Sequence, residues 1–220
     1  ASGICHYAHG CYRYENGCGN CPLLPGRGSS NDLSSKVWKR KKAVYHHGNM
    51  WFVTCSQWLA RQAKRSGLLR GISVRSIPNP IDTHIFEPQD KQKARQQLQL
   101  PEDKRLILFV SQRVTDQRKG MDYFIDAIDK MVVEHPEMKD NTGIAILGGH
   151  AEELEGKLAL PVYPIGYVTD QQRIRDVYNA ANVFVLPSLE DNLPNTIMEA
   201  MACGVPCVGF KVGGIPEMID

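Results

Sequence analysis

From residue 105 onward, short apolar runs alternate with helix-length amphipathic segments, and this alternation constrains the fold more than any other feature. The runs "LILFVS", "GIAILGG", "VYPIGYV", "VFVLPS" and "PCVGF" read as strands. Between or beside them "GMDYFIDAIDKMVVEH", "DQQRIRDVYNAA" and "PNTIMEAMAC" read as helices, and "GGIPEMI" as the start of another. Strands too apolar to have a wet face must be covered on both sides. Alternation with helices supplies that cover and predicts an α/β fold built on parallel sheets. In such a sheet a ligand binds in the crevice outside the carboxyl ends of the strands, so the loops following "LILFVS" and "VFVLPS" are the first places to look for chemistry.

Upstream, a connector "PLLPGRGSSN" leads into "DLSSKVWKRKKAVYHH". Asp32 is placed to cap this helix, Leu33, Val37 and Val44 sit at helical spacing, and the outer face is basic. "MWFVTCS", "SQWLARQAKRSG" with Gly67 as its stop, and "SVRSIPNPID" form a strand, helix, strand unit. The polar stretch "THIFEPQDKQKARQQLQLPEDKR" has no sustained apolar periodicity and reads as a linker, giving domains 1–100 and 101–220.

The 220 residues carry 26 basic and 24 acidic side chains, a net of +2. That balance gives no global field of the kind a nucleic-acid binder carries, so no nucleic-acid partner is expected and attraction for anions must be local. No apolar run reaches the ~20 residues of a membrane span, and "ASGICHYAHG" lacks the regions of a secretion signal. The abrupt start and stop read as a piece of a longer protein.

Two loops carry the candidate site. Ser188 to Asn192 follow "VFVLPS", and the helix after Pro194 points its amino terminus into the crevice. The amides of Asn195 and Thr196 and the helix dipole make an anion site worth ~0.3–1 kcal/mol exposed and up to ~2 kcal/mol part-buried. Glu199 shares their face, with Ile197 and Met201 turned to the sheet, and can accept from the two hydroxyls of a ribose. An exposed helix glutamate and a capping Asp191 are the plain alternative. The second loop, "SQRVTDQRKG", brings Arg113, Arg118 and Lys119 to the same rim, where charge-assisted bonds to a diphosphate are worth ~1.5–3 kcal/mol each. No Asp-x-Asp pair offers a metal to that diphosphate, so no catalytic metal is expected. Neither a Gly-x-Gly-x-x-Gly turn nor a P-loop is present.

"FVSQRVTDQRKGMDYFIDAI" followed by "VFVLPSLEDNLPNTIMEAMACGVPCVGFKVGGIPEMI", with "VTCSQWLARQA" and "SIPNPIDTHIF" upstream, resembles the retaining glycosyltransferases of family four, of bacterial polysaccharide type. The resemblance implies the GT-B fold, two Rossmann-like domains with parallel sheets, both partial here. It implies transfer of a sugar from a UDP-, GDP- or ADP-sugar to a glycan or lipid-linked acceptor with retention at the anomeric carbon. Arg113 and Lys119 match the basic pair on the donor diphosphate, and Glu199 matches the glutamate on the ribose. Asn192, Leu193, Pro194, Asn195 and Thr196 match the loop around the distal phosphate and sugar. Asp191 stands where the family's Glu-x7-Glu motif has its first glutamate, one methylene shorter, and the basic loop is longer than the usual pattern, which makes Arg118 a competing phosphate ligand.

"CHYAHGCYRYENGCGNC" resembles an insertion in a polysaccharide subset of that family. Cys5, Cys11, Cys18 and Cys21 can close a tetrahedral structural zinc site, with His6 or His9 as substitutes. Reduced thiols are the equal alternative, and disulfides come third in a cytosolic protein. The basic helix around "KVWKRKK" admits a peripheral contact with the inner membrane face or a plain solvated surface on a cytoplasmic protein. Rival functions are a non-catalytic, zinc-stabilised nucleotide-sugar-binding module, and a phosphorylase or epimerase of the same fold.

Overall fold

The structure, a computed structural model, describes residues 2–5, 10–26 and 28–219. It divides into two compact units, Ala1–Asn79 and Pro80–Asp220.

Unit 1 contains α1 (Leu33–His47), β1 (Phe52–Thr54), α2 (Gln57–Arg65) and β2 (Val74–Ser76), with β1 and β2 paired in parallel. Asp32 caps α1 as expected: its carboxylate accepts from the N–H groups of Ser35 at 3.1 Å and Cys21 at 2.8 Å. The buried face of α1 differs from expectation. Leu33 and Val44 are exposed, and Ser34, Ser35 and Trp38 are buried, because the indole of Trp38 fills the core made by Ala60, Ala63, Leu68, Leu69 and Val74. One large ring outweighs two aliphatic side chains in the area it can bury.

Unit 2 contains α3 (Lys91–Leu98), β3 (Arg105–Arg113), α4 (Met121–Glu134), α5 (Met138–Asn141), β4 (Thr142–Gly149), β5 (Val162–Gly166), α6 (Gln171–Ala180), β6 (Val183–Leu186), α7 (Asn195–Ala202) and β7 (Cys207–Gly209). Its five strands pair in parallel in the order β5-β4-β3-β6-β7. Separate clusters cover the two faces of the sheet. Leu108, Val110, Ala145 and Leu147 pack with Val177, Tyr178 and Ile197, whereas Ile107, Phe109, Ile144 and Ile146 pack with Phe124 and Ile128. Each large side chain buried this way contributes ~1.5–3 kcal/mol.

The boundary falls at Asn79/Pro80 rather than at residue 100, and the expected linker contains α3. What holds α3 is a cation. Arg95 is 3% exposed and donates from Nε to the Ala180 carbonyl at 2.9 Å, from Nη1 to the carbonyls of Glu102 and Lys104, and from Nη2 to Asn182 Oδ1 at 2.8 Å. A buried guanidinium needs most of its donors used, and this one has them used by the chain entering β3 and leaving α6. The segment "GGIPEMI" forms only a 3₁₀ turn, Ile215–Glu217, among the described residues.

Charge follows the same division. Unit 1 has 12 basic and 2 acidic side chains, a net of +10, and unit 2 has 14 and 22, a net of −8. The near-neutral total is the sum of two opposed charges.

Candidate functional site: the strand-order reversal of unit 2

Chain order runs outward from β3 to β4 and β5 on one side, then returns to place β6 and β7 on the other. Neighbouring strands β3 and β6 therefore flank the topological switch point, where the helices that follow them leave on opposite faces and open a crevice. Both candidate loops emerge there. Arg113 ends β3, Gln117–Lys119 form a 3₁₀ turn, and Ser188–Thr196 lie between β6 and the first turn of α7.

The loops are joined. Leu189 N–H donates to the carbonyl of Arg118 at 2.8 Å, and Lys119 Nζ lies 2.6 Å from Asp191 Oδ2. Gly120, at φ +71°, lets the loops meet: a Cβ there would collide with the carbonyl oxygen of Pro187. Gly213, at φ +59°, does the same against the Asp191 carbonyl oxygen, which also accepts from Gly214 N–H at 3.2 Å. Sequence reasoning missed this third contributor to the rim, the Gly213-Gly214 turn, although adjacent glycines after a strand are a signal for close backbone approach.

Asp191 is fully engaged. Besides Lys119 it accepts from Ser188 Oγ at 3.3 Å and from Asn192 N–H at 3.0 Å. Of the three residues expected from sequence to be catalytic, Asp191, Arg113 and Lys119, two thus face each other, Lys119 and Asp191. Arg118 lies bidentate on Asp116, at 2.8 and 3.3 Å, which holds the Asp116 carboxyl below the usual range and raises the guanidinium. Arg113 is exposed at the end of β3 on the same rim, and its side chain has no partner among the described residues.

α7 begins with Pro194 as its cap residue and no side-chain cap, leaving Asn195 and Thr196 at the first helical positions. Ile197 is buried as expected. Met201 is 48% exposed, and Ala200 takes the place assigned to it against the core. Glu199 is half-buried; burial raises its pKa, opposed by a hydrogen bond from Tyr178 Oη to Oε2 at 2.7 Å. No signal in the sequence links these two residues, 21 positions apart.

The four amino-terminal cysteines lie in unit 1 and are free thiols. Burial raises the pKa of Cys18, with Gly3 N–H on its Sγ at 3.2 Å opposing and the neighbouring Cys5, Cys11 and Cys21 adding to the rise. Among the described residues no three His, Cys, Asp or Glu side chains are arranged to hold a metal ion. His6 and His9 lie outside the described residues. No helix among the described residues is long and apolar enough to cross a membrane.

The family model for glycosyl transferases group 1 matches residues 104–220. A D-inositol 3-phosphate glycosyltransferase of Catenulispora acidiphila is 32% identical over 156 residues, covering 66% of this chain and 36% of that protein. One from Acidothermus cellulolyticus is 32% identical over 159 residues, 66% and 35%. The chain therefore spans about a third of the length of these relatives. Among solved structures, sucrose-phosphate synthase of Thermosynechococcus elongatus superposes with a TM-score of 0.65 at 25% identity, over 82% of this chain and 45% of that one. Anabaena HepE, solved with UDP and glucose, does so with 0.63 at 21%, over 83% and 50%. The parallel α/β architecture is that of GT-B glycosyltransferases, and the match across unit 2 makes this chain a member of the group 1 glycosyltransferase family.

Proposed function

We propose that unit 2 carries the nucleotide-sugar site of a glycosyltransferase that moves a hexosyl group to a glycan or lipid-linked acceptor with retained anomeric configuration. One observation carries the reading: the Lys119–Asp191 pair joins the two loops at the switch point, beside the start of α7. A diphosphate entering there competes with Asp191 for Lys119. Lys119, Arg113 and the amides of Asn195 and Thr196 then neutralise it, and the same groups stabilise it as leaving group in the transition state. Arg118 is a reserve cation that must first leave Asp116. Asp191, released from Lys119, lies beside the transferred sugar. Glu199 takes the ribose. Supporting this, Anabaena HepE was solved with UDP-glucose, and UDP is the natural first probe.

The test is a panel of UDP-, GDP- and ADP-sugars with product analysis. The reading predicts slow hydrolysis of one donor without acceptor; turnover of none would leave the binding-module alternative. Phosphorolysis or change in the sugar ring would indicate a phosphorylase or an epimerase. Glu199→Ala should weaken nucleotide binding more than tenfold, and unchanged calorimetric affinity would rule out the ribose role.

A second reading, for unit 1, rests on its unmatched charge. Its two acids are occupied: Asp32 caps α1, and Glu15 pairs with Arg65 at 2.6 Å. Lys36, Lys39, Arg40 and Lys42 stand exposed on α1. Lys64, Arg70 and Arg75 line a hollow of about 390 Å³ with Trp51, which is 60% exposed beneath the Arg75 guanidinium, 4.9 Å from the ring centroid. Cations beside an exposed indole suit the headgroup region of an anionic bilayer, at the inner membrane face.

A further inference from the structure

The Tyr178 hydroxyl meets Glu199 at 2.7 Å from a ring that is 0% exposed. That ring cannot swing away. Phe86 and Phe184 hold it edge-on, at centroid separations of 6.3 and 5.9 Å and interplanar angles of 66° and 83°. The hydroxyl comes from α6 and the carboxylate from α7, so the bond spans two helices that cover the same face of the sheet. Burial first, and the nearby Glu199 second, push the phenol far above its ordinary pKa, so it stays protonated and acts as donor. One carboxylate oxygen is thereby fixed against the core, while Oε1 takes no hydrogen bond from the described residues. A glutamate with several rotatable bonds is turned into a single acceptor of fixed direction, which is what recognition of a particular hydroxyl requires.

We infer that Tyr178 is a positioning residue that aims Glu199 at the ribose hydroxyls of the nucleotide, and so sets the preference of this site for ribonucleotides over deoxyribonucleotides. The inference rests on the ribose role proposed for Glu199, and the two fail differently.

The probes are UDP and 2′-deoxy-UDP, titrated calorimetrically into the protein and its Tyr178→Phe variant. The parent protein should bind UDP at least tenfold more tightly than the deoxy compound. Tyr178→Phe should reduce that ratio below threefold, chiefly by weakening UDP, with the deoxy affinity within about twofold of the parent. Equal loss for both ligands would mean that Tyr178 only supports the fold, and an undiminished ratio would mean that it does not aim Glu199. Either overturns the inference and leaves the ribose role standing. No preference in the parent protein would remove both.

A pH series adds a readout that a packing role would not move. Removing the Tyr178 donor takes away the one group that lowers the pKa of Glu199, so UDP affinity in the variant should fall off at higher pH than in the parent. The other ionisable groups in this neighbourhood are Cys203 at the C-cap of α7, Cys207 on β7, and Arg175 and Asp176 on α6, all present in both proteins. Should Tyr178→Phe not fold, crystals of the parent protein soaked with UDP serve: Glu199 Oε2 should keep the Tyr178 hydroxyl while Oε1 takes the ribose hydroxyls. A ribose held by a Glu199 carboxylate that has left Tyr178 would overturn the inference.

Discussion

Unit 1 carries a net +10 and unit 2 a net −8 with three cations on one rim, and the roles proposed for the two call for different kinds of recognition. In unit 1 the charges outnumber any internal partner, twelve against two, and they spread over α1 and the Trp51 hollow. Such a surface attracts anions without selecting among them, and salt weakens it. In unit 2, Arg113 at the end of β3 and Arg118 and Lys119 in the turn that follows share one rim of a body carrying a net −8. That acidic body repels anions elsewhere, while the switch point supplies fixed geometry where the cations stand. Bulk charge supports general adhesion; cations placed at a strand-order reversal support a specific diphosphate.

The largest effect that would break this comparison concerns unit 1. Replacing Lys36, Lys39, Arg40 and Lys42 by Gln removes four cations worth ~1 kcal/mol each near an anionic surface, so partitioning onto phosphatidylglycerol vesicles at low salt should fall ~100- to 1000-fold. UDP affinity should not change. Binding to the vesicles that survives this replacement, or 0.5 M salt, would remove the adhesive role of α1.

Next in size, Lys119→Ala should weaken UDP ~10- to 100-fold, the worth of one charge-assisted bond, with vesicle partitioning unaltered. Loss of both together would mean that the two kinds of charge are not separable.

A smaller effect sharpens the contrast in acid. Hydrogen bonds from Cys21 N–H and the Ser34 hydroxyl hold Asp32 down at about 2, from an ordinary 3.8. The unfolded chain therefore binds this proton more readily than the folded one. The stabilisation from Asp32 is full above pH 3.8 and disappears as pH falls toward 2. Asp32→Asn should be less stable than the parent at pH 6 and approach it near pH 2, by thermal unfolding; a gap of constant size would exclude the linkage.

The smallest is chemical. Burial pushes Cys203 up to about 12 and Cys207 up to about 11, so both should resist iodoacetamide at pH 8 while Cys5 and Cys11, partly exposed, react. Peptide mapping decides it; modification of Cys203 in the folded protein would contradict its burial.

The parallel sheet was legible because its strands are apolar on both faces, a pattern that few other arrangements satisfy. The rim loops were legible because they follow those strands. α3 was not, since its buried face consists of Ala94 and Arg95, and only the carbonyls of distant Glu102, Lys104 and Ala180 reveal why an arginine belongs there. α1 was found, but its buried side was misread because Trp38 prevailed over the spacing of Leu33 and Val44. The partners of Asp191 and Glu199 were hidden for a related reason. Lys119 is 72 positions from Asp191 and Tyr178 is 21 from Glu199, and local periodicity carries no information about pairs created by the winding of the sheet.

The central claim is that a nucleotide diphosphate binds at the switch point of unit 2, and a crystal soaked with UDP tests it most directly. The account predicts the β-phosphate within hydrogen-bonding distance of Lys119 Nζ and of the amides at the start of α7, with the Lys119–Asp191 contact of 2.6 Å broken or shared. A pyrophosphate bound elsewhere, with that ion pair intact, would contradict it.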